Sequence, residues 1–349
     1  MAPVAPVASG STWGQGREVL DAIVETYAKY VVLDEDQRTA LALWTAHTYF
    51  WEFRDLTPYI SVTSALMREG KTLLMECAYT MVRAPMMGMN MTSAALYNAI
   101  RDFKPTLFLD EQDAKAKMTD DFRRVLNGGF KSSGNVVRTV GGASTRLSTY
   151  CPKMFAGIGL LTPTVRDRSI ELFLRRALPD DQRNLSRFVE SRVKQETLPL
   201  RNELAAAAMV HEEWISRATP AAIPLASSRQ MDIWEPLWSI ADLIGGEWVE
   251  RSREAARSLQ IDDEEDEKVA LLADIKAVFE SRRVLATEEL VGKVNTLDGS
   301  FAIELRNGMH LAGYLAPFRI RPKRIRLGAR TVRGYERQQF EDAWRRYLP

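Results

Sequence analysis

Cysteine and histidine are scarce in this sequence, which has two cysteines, Cys77 and Cys151, and three histidines among 349 residues. Two cysteines cannot build a disulfide framework. Both lie in apolar runs, so we expect buried thiols in a reducing compartment. His47 lies in an aromatic-rich helical segment with no histidine or cysteine at zinc-ligand spacing, so we interpret it as a core residue. The small number of cysteines argues against a secreted domain stabilised by disulfide bonds.

Long apolar runs and a strong net charge are also lacking. No stretch approaches the roughly 18 apolar residues that a membrane span needs. The net charge is +1, so any surface for nucleic acid must be local. Residues 1–16 are rich in Pro, Ala, Gly and Ser and lack the apolar core of a secretion signal. We therefore expect a mobile tail there and a soluble cytoplasmic protein with no membrane partner.

A candidate phosphate-binding loop follows the β-prone run at residues 59–63 and precedes a helical run. Strand, loop ending in Gly-Lys-Thr and helix is the context that such a loop requires. Gly70 lets the backbone turn inward, Lys71 would reach the β- and γ-phosphates of ATP, and the Thr72 hydroxyl would bind Mg²⁺. The predicted nucleotide-binding residues are Arg68, Glu69, Gly70, Lys71 and Thr72.

The loop departs from the full pattern at its first glycine position, where the chain has Ala65. Alanine tolerates positive φ poorly, so the entry to the loop must differ from that of an ordinary phosphate loop. A chance Gly-Lys-Thr tripeptide is the alternative interpretation, and the flanking strand and helix argue against it.

An apolar run at residues 106–109 ends in two acids, as the metal-binding strand of a nucleotide hydrolase does. Asp110 would hold Mg²⁺ directly or through water, and Glu111 would activate the attacking water as the general base. The alternative is a strand followed by a solvated acidic turn. The position downstream of Lys71 fits the next strands of one parallel α/β sheet.

Two β-prone runs, residues 136–140 and 145–150, flank Gly141-Gly142 and predict a hairpin. The hairpin region carries a basic set that could contact a nucleic-acid backbone: Lys131, Arg138 and Arg146. A hairpin that is merely solvated is the alternative.

Three further arginines are candidates for transition-state contacts. Arg166 and Arg168 follow an apolar strand at residues 153–160, and one of them would reach the γ-phosphate of a neighbouring subunit. Salt bridges to Asp167 or Glu171 are the alternative. Arg229 begins a predicted helix and would reach back to the nucleotide of its own chain from a helical lid.

The C-terminal part begins after an acidic run, residues 262–267, which we interpret as a solvated hinge. Three predicted helices and a basic hairpin follow, which is the order of a winged-helix domain. Between residues 319 and 337 there are eight Lys or Arg and one acid. The predicted DNA contacts are Arg321, Lys323, Arg324 and Arg326, and a basic but passive packing domain is the alternative.

The expected fold class is α/β, with a P-loop core around a parallel sheet. The predicted segments are a tail (1–16), N-terminal helices (17–54), the ATPase core (55–178), a helical lid (179–261), an acidic linker (262–268) and a winged-helix-like DNA-binding domain (269–349).

Several motifs together resemble the domain of unknown function 3631 family of actinobacteria, their phages and mobile elements. They are Arg-Glu-Gly-Lys-Thr, Leu-Phe-Leu-Asp-Glu-Gln-Asp, Cys-Pro-Lys-Met-Phe-Ala-Gly-Ile-Gly, Arg-Asp-Arg-Ser-Ile, Asp-Ile-Trp-Glu-Pro-Leu and the closing Gly-Tyr-Glu-Arg-Gln-Gln-Phe. The resemblance extends from about Ala40 to Pro349. It implies an ATPase related to AAA+ and superfamily 3 helicase motors.

The sequence and this resemblance thus predict an ATP-hydrolysing, magnesium-dependent DNA motor that assembles as a homo-oligomeric ring, a hexamer. A replicative helicase or helicase loader, working beside a primase, is the first interpretation. The alternative is an ATP-gated DNA-binding initiator or regulator that does not translocate. Ala65 favours the regulator and Glu111 favours the motor. A scaffold that only binds DNA is a third interpretation.

Overall fold

The computed structural model describes residues 13–64, 68–88, 93–110, 125–140, 143–157, 163–178, 180, 184–225, 227–259, 264–280, 282–297, 304–327 and 330–348. The chain divides into two compact units, Met1–Gln260 and Ile261–Pro349. Each unit has its own cluster of buried apolar side chains. The division falls beside the acidic run that the sequence suggested as a hinge.

The structure gives the bounds of seven strands and ten α-helices in the first unit. The strands are β1 (Tyr59–Ser64), β2 (Pro85–Met87), β3 (Thr106–Leu109), β4 (Asn135–Val140), β5 (Ala143–Ser148), β6 (Lys153–Ala156) and β7 (Ser169–Leu174). The helices are α1 (Gly16–Tyr30), α2 (Glu35–Phe50), α3 (Lys71–Tyr79), α4 (Ser93–Phe103), α5 (Pro163–Arg166), α6 (Glu190–Glu196), α7 (Leu198–Val210), α8 (Glu212–Arg217), α9 (Ser228–Ile244) and α10 (Glu247–Ser258).

Five of these strands form one sheet in the order β2-β3-β6-β1-β7, and every pair in it is parallel. All six residues of β1 are buried, as expected for a strand covered on both faces. Strands β4 and β5 form a separate antiparallel hairpin, inserted in the chain between β3 and β6. The predicted α/β class with a parallel sheet is therefore confirmed.

Helix α2 lies in the core of the first unit, and its start is fixed by local chemistry. The Asp34 side chain accepts a hydrogen bond from the Gln37 backbone N–H, and the Gln37 side-chain oxygen accepts one from the Asp34 backbone N–H. Ahead of α1, Trp13 is 6% exposed, and its backbone N–H donates to the carbonyl of Leu243. The predicted tail of residues 1–16 is thus too long, because its last residues pack against the unit.

The helices after residue 190 belong to the same core as the sheet. Helices α9 and α10 pack against α2 and against each other, and α7 packs against α1 and α2. The sequence suggested a boundary between an ATPase core and a lid at residue 178. The structure has no division there, because one apolar cluster joins the helices on both sides of that point.

The structure gives the bounds of four α-helices and a three-stranded sheet in the second unit. Its elements are α11 (Glu264–Phe279), β8 (Val284–Ala286), α12 (Thr287–Thr296), α13 (Gly308–Leu315), β9 (Lys323–Leu327), β10 (Arg330–Glu336) and α14 (Glu341–Tyr347). The sheet order is β8-β10-β9, with antiparallel pairs. Phe279, Phe340 and Trp344 make ring contacts at its centre.

Helix α11 begins at Glu264, inside the segment that the sequence assigned to a linker. Negative charge near a helix N-terminus interacts favourably with the helix dipole, so an acidic run can start a helix as well as separate two domains. Among the helices that the structure describes, none is both long and apolar enough to cross a membrane.

Candidate functional site

The carboxyl ends of the parallel strands meet at one edge of the sheet, where α/β proteins bind ligands. Ser64 ends β1 there, and Asp110 follows the last residue of β3. Strand β6 pairs with both β1 and β3, so the pairing register shows which residues of β1 and β3 lie at the same height in the sheet. Val62 of β1 lies beside Ala156, and Leu109 of β3 lies beside Phe155. Asp110 therefore comes level with Ala156 and Val62, one strand removed from β1, and it is half-buried.

The loop that leaves β1 returns to helix α3 through two residues with positive φ. Gly70 precedes the helix with φ at 93°, and Arg68 has φ at 64°. A Cβ on Gly70 would lie 3.8 Å from Val31, so backbone conformation and not space requires glycine here. The helix starts with no side-chain cap. A left-handed residue directly before an uncapped helix start is the geometry of an anion-binding nest.

Lys71 bridges this loop, because its ammonium donates a hydrogen bond to the hydroxyl of Ser64. Ser64 is buried, Lys71 is half-buried, and Thr72, the next residue of the helix, is exposed. A positive charge thus stands between the end of β1 and the start of α3. Phosphate oxygens are the ligands that this position suits.

The residues at this edge fit a magnesium ion held together with a nucleotide. Mg²⁺ usually takes one or two protein oxygens and completes its shell with phosphate oxygens and water. Thr72 and Asp110 supply a hydroxyl and a carboxylate. Across the described ranges there is no cluster of three or more histidine, cysteine or acidic side chains, so a fully protein-built cage is not available there. Ala65 and Glu111 lie outside the described residues.

Arg166, one of the two arginines expected to act on a neighbouring subunit, is engaged within its own chain. Its Nε lies 2.9 Å from Oε2 of Glu171 on β7, and both side chains are largely buried. Glu171 also accepts a hydrogen bond of 3.5 Å from the Thr63 hydroxyl. This salt bridge is the alternative that the sequence had left open for Arg166.

Arg168 and Arg229 meet at the opposite, amino edge of the sheet. The carbonyl of Arg168 accepts a hydrogen bond from the backbone N–H of Tyr59, the first residue of β1. The Asp167 carboxylate lies 3.4 Å from Nε of Arg229 and 3.9 Å from a terminal nitrogen of Arg168. Burial, and next the charge of Arg229, lower the pKa of Arg168, while Asp167 opposes the shift.

This placement of Arg229 differs from the predicted contact with the nucleotide of its own chain. Tyr59 and Ser64 are five residues apart along β1, or about 16 Å at roughly 3.3 Å per residue. Arg229 lies at the Tyr59 end, with its guanidinium 5.8 Å from the centre of the Phe130 ring. The difference arises because the packing of α9 determines which edge of the parallel sheet its first turn approaches. The sequence around Arg229 contains no signal for that packing.

The β4–β5 hairpin has one packed face and one exposed face. Val136 pairs with the buried Leu147, whereas Val137, which is 62% exposed, pairs with the exposed Arg146. Lys131 lies just before the hairpin and is exposed. Arg138 is placed by its backbone alone, opposite Thr145.

A buried lysine anchors both ends of this hairpin. The Lys153 ammonium donates hydrogen bonds to the carbonyls of Cys151 at 2.9 Å, Thr149 at 3.1 Å and Gly129 at 3.5 Å. It also lies 4.8 Å from the centre of the Tyr59 ring, a cation–π distance. Burial lowers its pKa. The sequence placed Lys153 at the start of a strand and gave it no role.

In the second basic hairpin, β9–β10, the arginines and the lysine of strand β9 lie on opposite faces. Arg324 pairs directly with Arg333, and Arg326 pairs with Thr331 on the same face. The three arginines are exposed. Lys323 lies on the other face, with its ammonium 3.3 Å from the Glu336 carboxylate. Arg321 precedes the strand and is exposed.

Two like charges directly across a strand pair cost stability, so the Arg324–Arg333 pair indicates a surface suited to an anion. In the part of the chain that the structure describes, neither of these arginines forms an ion pair. Arg333 was absent from the predicted set of DNA contacts. The two-residue alternation of β9 and its antiparallel pairing with β10 would have identified it.

Beside this hairpin lies a groove of about 460 Å³ next to the start of α13. Its lining includes Ala286, Glu288, Met309, Ala312, Val332 and Arg333. Met309 is 84% exposed. The start of α13 is already capped, because the Asn307 side chain accepts hydrogen bonds from the backbone N–H groups of Met309 and His310.

A parallel sheet with a lysine-bearing loop at its carboxyl edge, followed by a separate unit with a basic hairpin, defines a two-unit α/β protein. Residues 174–347 match the model of the family described as "Protein of unknown function (DUF3631)", and over this segment the chain belongs to that family. The resemblance recognised from the motifs is therefore confirmed over this segment. The matched segment begins at the end of β7, so the loop between β1 and α3 lies outside it.

A similar protein is the "Uncharacterized 28.9 kDa protein in xis 5'region" of Saccharopolyspora erythraea. It is 35% identical over 144 residues, which are 39% of this chain and 54% of the relative. The chain thus spans about half the length of this curated relative.

Proposed function

We propose that the protein binds and hydrolyses ATP at the carboxyl edge of its parallel sheet and uses this reaction on DNA. The observation that carries the proposal is the loop between β1 and α3. It combines a left-handed Gly70, an uncapped helix start and a lysine ammonium that spans the loop. Asp110 at the same edge adds the carboxylate that a nucleotide–magnesium complex requires.

In the proposed reaction a water oxygen bonds to the γ-phosphorus of ATP, and the bond from that phosphorus to the β,γ-bridging oxygen breaks. ADP takes the electron pair of the broken bond, and the water proton passes to Glu111, the general base that the sequence predicts. Lys71 and the first turn of α3 hold the phosphates through charge and backbone N–H groups. Magnesium, held by Thr72 and Asp110, would neutralise phosphate charge.

The DNA part of the proposal is supported by two local basic surfaces on a protein of nearly zero net charge. One is the outer face of the β9–β10 hairpin, and the other is the β4–β5 hairpin with Arg146 and Lys131. The order helix, strand, helix, helix and hairpin in the second unit supports a winged-helix domain. Phosphate contacts of exposed arginines predict binding that weakens steeply with salt.

For the biological role we propose a replicative helicase or helicase loader of a mobile element, working as a ring and beside a primase. The name of the Saccharopolyspora relative, which refers to a xis 5' region, supports the mobile-element setting. The second candidate is an ATP-gated initiator or regulator that does not move along DNA. The observation that favours it is Ala65 in place of the first loop glycine.

The first test compares Lys71→Ala with the wild type for ATP turnover. We expect turnover to be lost and the fold to be kept, because the lysine is the first residue of α3, directly after the loop, and serves as a point charge for phosphate. Lys194→Ala is the matched control, because Lys194 forms an i,i+4 surface pair with Glu190 away from the loop. Wild-type turnover in Lys71→Ala would refute the ATPase proposal.

A second measurement separates the two roles. Forked DNA with a fluorescent strand is incubated with the wild type and ATP, and with Glu111→Gln, which keeps the shape of the side chain but removes the base. A motor unwinds the fork, and Glu111→Gln binds ATP without unwinding, with turnover lowered about 10²- to 10⁴-fold. ATP-dependent DNA affinity without unwinding would support the initiator or regulator.

A further inference from the structure

Helix α13 lacks the side chains that usually read duplex DNA, although it stands where a winged-helix domain has its recognition helix, just before the hairpin. Its residues, Gly308–Leu315, include no arginine, lysine, asparagine or glutamine, which most often bind base edges in the major groove. Asn307, directly before the helix, is used as its cap. The His310 ring packs against Tyr314, and its Nδ1 accepts a hydrogen bond from the Arg306 backbone. The helix is therefore poorly suited to reading paired bases.

The groove beside the start of α13 offers a different kind of contact. Its volume of about 460 Å³ lies within the roughly 300–1,000 Å³ of clefts that bind small ligands. Met309 and Ala312 of α13 and Val332 of β10 give it apolar walls. A Cβ on Gly308 would collide with the Thr287 side chain, so the starts of α12 and α13 are in close contact. One side of the groove thus has a fixed shape.

The polar groups of the groove are of opposite sign. Arg333 lines it and lies directly opposite Arg324, so two positive charges stand at its edge. The first turn of α12 adds the Glu288 carboxylate and the Thr287 hydroxyl. This hydroxyl is buried and has no hydrogen-bond partner among the described residues. A matching ligand has an anionic end, an apolar body and an N–H donor, whereas an acidic peptide would be repelled by Glu288.

A DNA strand has these three parts in each nucleotide: a phosphate, a flat ring with apolar faces and, in every base except thymine, an amino group. In a duplex the partner base and the stacked neighbours occupy the faces and the pairing edge. An unpaired base is free to leave the stack, and proteins then bind its faces and its pairing edge in pockets. Methionine is among the apolar side chains that contact unstacked bases, and Met309 is 84% exposed.

We propose that this groove binds one unpaired base of a DNA strand whose adjacent phosphate lies on Arg324 and Arg333. The base packs against Met309, and Glu288 accepts a hydrogen bond from its amino group. This inference rests on the DNA part of the proposed function. It assigns to the second unit a strand with unpaired bases, such as the open end of a fork, in addition to duplex phosphates.

The first test measures the affinity of the full-length protein for fluorescent oligo-dC and for a closed duplex hairpin, at slightly alkaline pH so that oligo-dC stays unfolded. We expect Met309→Ala to weaken binding of oligo-dC about 5- to 10-fold, as the loss of one base contact does. Duplex affinity should stay the same, because the arginines that hold phosphates are unchanged. Met209→Ala is the matched control, since Met209 is 82% exposed in the first unit, and it should change neither affinity.

The second test compares oligo-dC with oligo-dT of equal length, because thymine has no amino group. We expect the wild type to prefer oligo-dC about fivefold or more, and Glu288→Ala to lose this preference. Glu289→Ala is the matched control. It removes the same charge from the same turn of α12, where Glu289 faces Arg282 and does not line the groove, and it should keep the preference.

Each result decides between the possibilities. If the wild type binds DNA and Met309→Ala changes neither affinity, the groove serves another partner, such as a protein, and the inference is wrong. An equal loss for oligo-dC and duplex would also overturn it. Equal wild-type affinities for oligo-dC and oligo-dT would refute the contact assigned to Glu288. A wild type that binds no DNA would refute the DNA part of the proposed function, and this inference with it.

Discussion

Gly70 is the residue on which the shape of the loop between β1 and α3 depends. Its φ of 93° lies in the left-handed region, which costs a residue with a Cβ roughly 1–2 kcal/mol. We expect Gly70→Ala to lower the free energy of unfolding by that amount and to weaken ATP binding, because the backbone N–H groups turn away from the phosphates. Urea unfolding and nucleotide titration measure the two effects.

Gly292→Ala is the matched control for this substitution. Gly292 lies inside helix α12, its φ is negative, and a Cβ there would meet nothing within 4 Å. Alanine should therefore leave the protein as stable or stabilise it by about 0.5–1 kcal/mol. A Gly70→Ala variant that behaves like Gly292→Ala would show that the loop does not depend on the left-handed residue.

The buried His47 should make the free energy of unfolding depend on pH. Burial, and next the charge of Arg54, lower the pKa of His47 to about 3. Its Nε2 lies 2.9 Å from the Thr57 hydroxyl, and Nδ1 has no hydrogen-bond partner among the described residues. In the unfolded chain the His47 imidazole binds a proton near pH 6.5, whereas in the folded chain it stays neutral down to about pH 3. The contribution of neutral His47 is therefore complete above about pH 6.5 and is lost as the pH falls toward about 3.

We expect this histidine to reduce the free energy of unfolding by about 1.4 kcal/mol per pH unit below pH 6. Urea titrations at pH 7, 6 and 5 measure the slope. His47→Asn keeps a polar contact with Thr57 and removes the titration, so its slope over the same range should be smaller. Equal slopes for the two proteins would mean that other groups cause the dependence.

At the scale of elements, we expect the two faces of the β9–β10 hairpin to contribute differently to DNA binding. Arg324→Gln with Arg333→Gln removes the two opposed cations of the outer face, whereas Lys323→Gln removes a cation of the inner face that pairs with Glu336. We expect the double variant to bind duplex DNA more weakly and to lower the salt slope by about 1.8, at roughly 0.9 per lost phosphate contact. Fluorescence anisotropy at several salt concentrations measures this slope.

The same double variant should be slightly more stable, because the repulsion across the strand pair is gone. Lys323→Gln is the matched control and should keep the slope of the wild type. A slope lowered equally by both changes would assign DNA binding to general charge and not to one face. An unchanged slope in the double variant would move the DNA contact to Arg146 and the first hairpin.

The elements also show which parts of the site a sequence can predict. Strand β1, the left-handed Gly70 and the carboxylate after β3 follow from local signals: a glycine before a helix, and acids after an apolar run. The sequence did not predict that Arg229 lies at the amino edge of the sheet, that Arg333 pairs with Arg324, or that Trp13 packs against the first unit. Their positions depend on which helix packs on which edge and on the pairing register of two strands. These are contacts between residues far apart in the chain, which composition and spacing do not encode.

At the scale of the whole molecule, the two units have separate apolar cores with no residue in common. We therefore expect two transitions in differential scanning calorimetry. Leu43→Ala removes a fully buried side chain of α2 and should shift only the transition of the first unit, by about 2–5 kcal/mol of stability.

Gly334→Ala is the complementary change in the second unit. A Cβ at Gly334 would collide with the Leu285 carbonyl and the Ile325 side chain, so β10 must move away from its neighbours. It should shift only the other transition. A single transition that both substitutions lower would mean that the chain unfolds as one cooperative body.

The buried Lys153 has a consequence for how a map of mutational tolerance of this protein should be interpreted. Three carbonyl oxygens depend on one ammonium, and each would lose up to about 1–3 kcal/mol if it were left without a donor. Methionine matches the length of the chain but donates nothing, and arginine is too large for a space bounded by Gly129 and the Tyr59 ring. Position 153 should thus rank among the least replaceable residues while touching neither nucleotide nor DNA. Substitutions there should lower the amount of folded protein in the cell, and not the activity of each folded molecule.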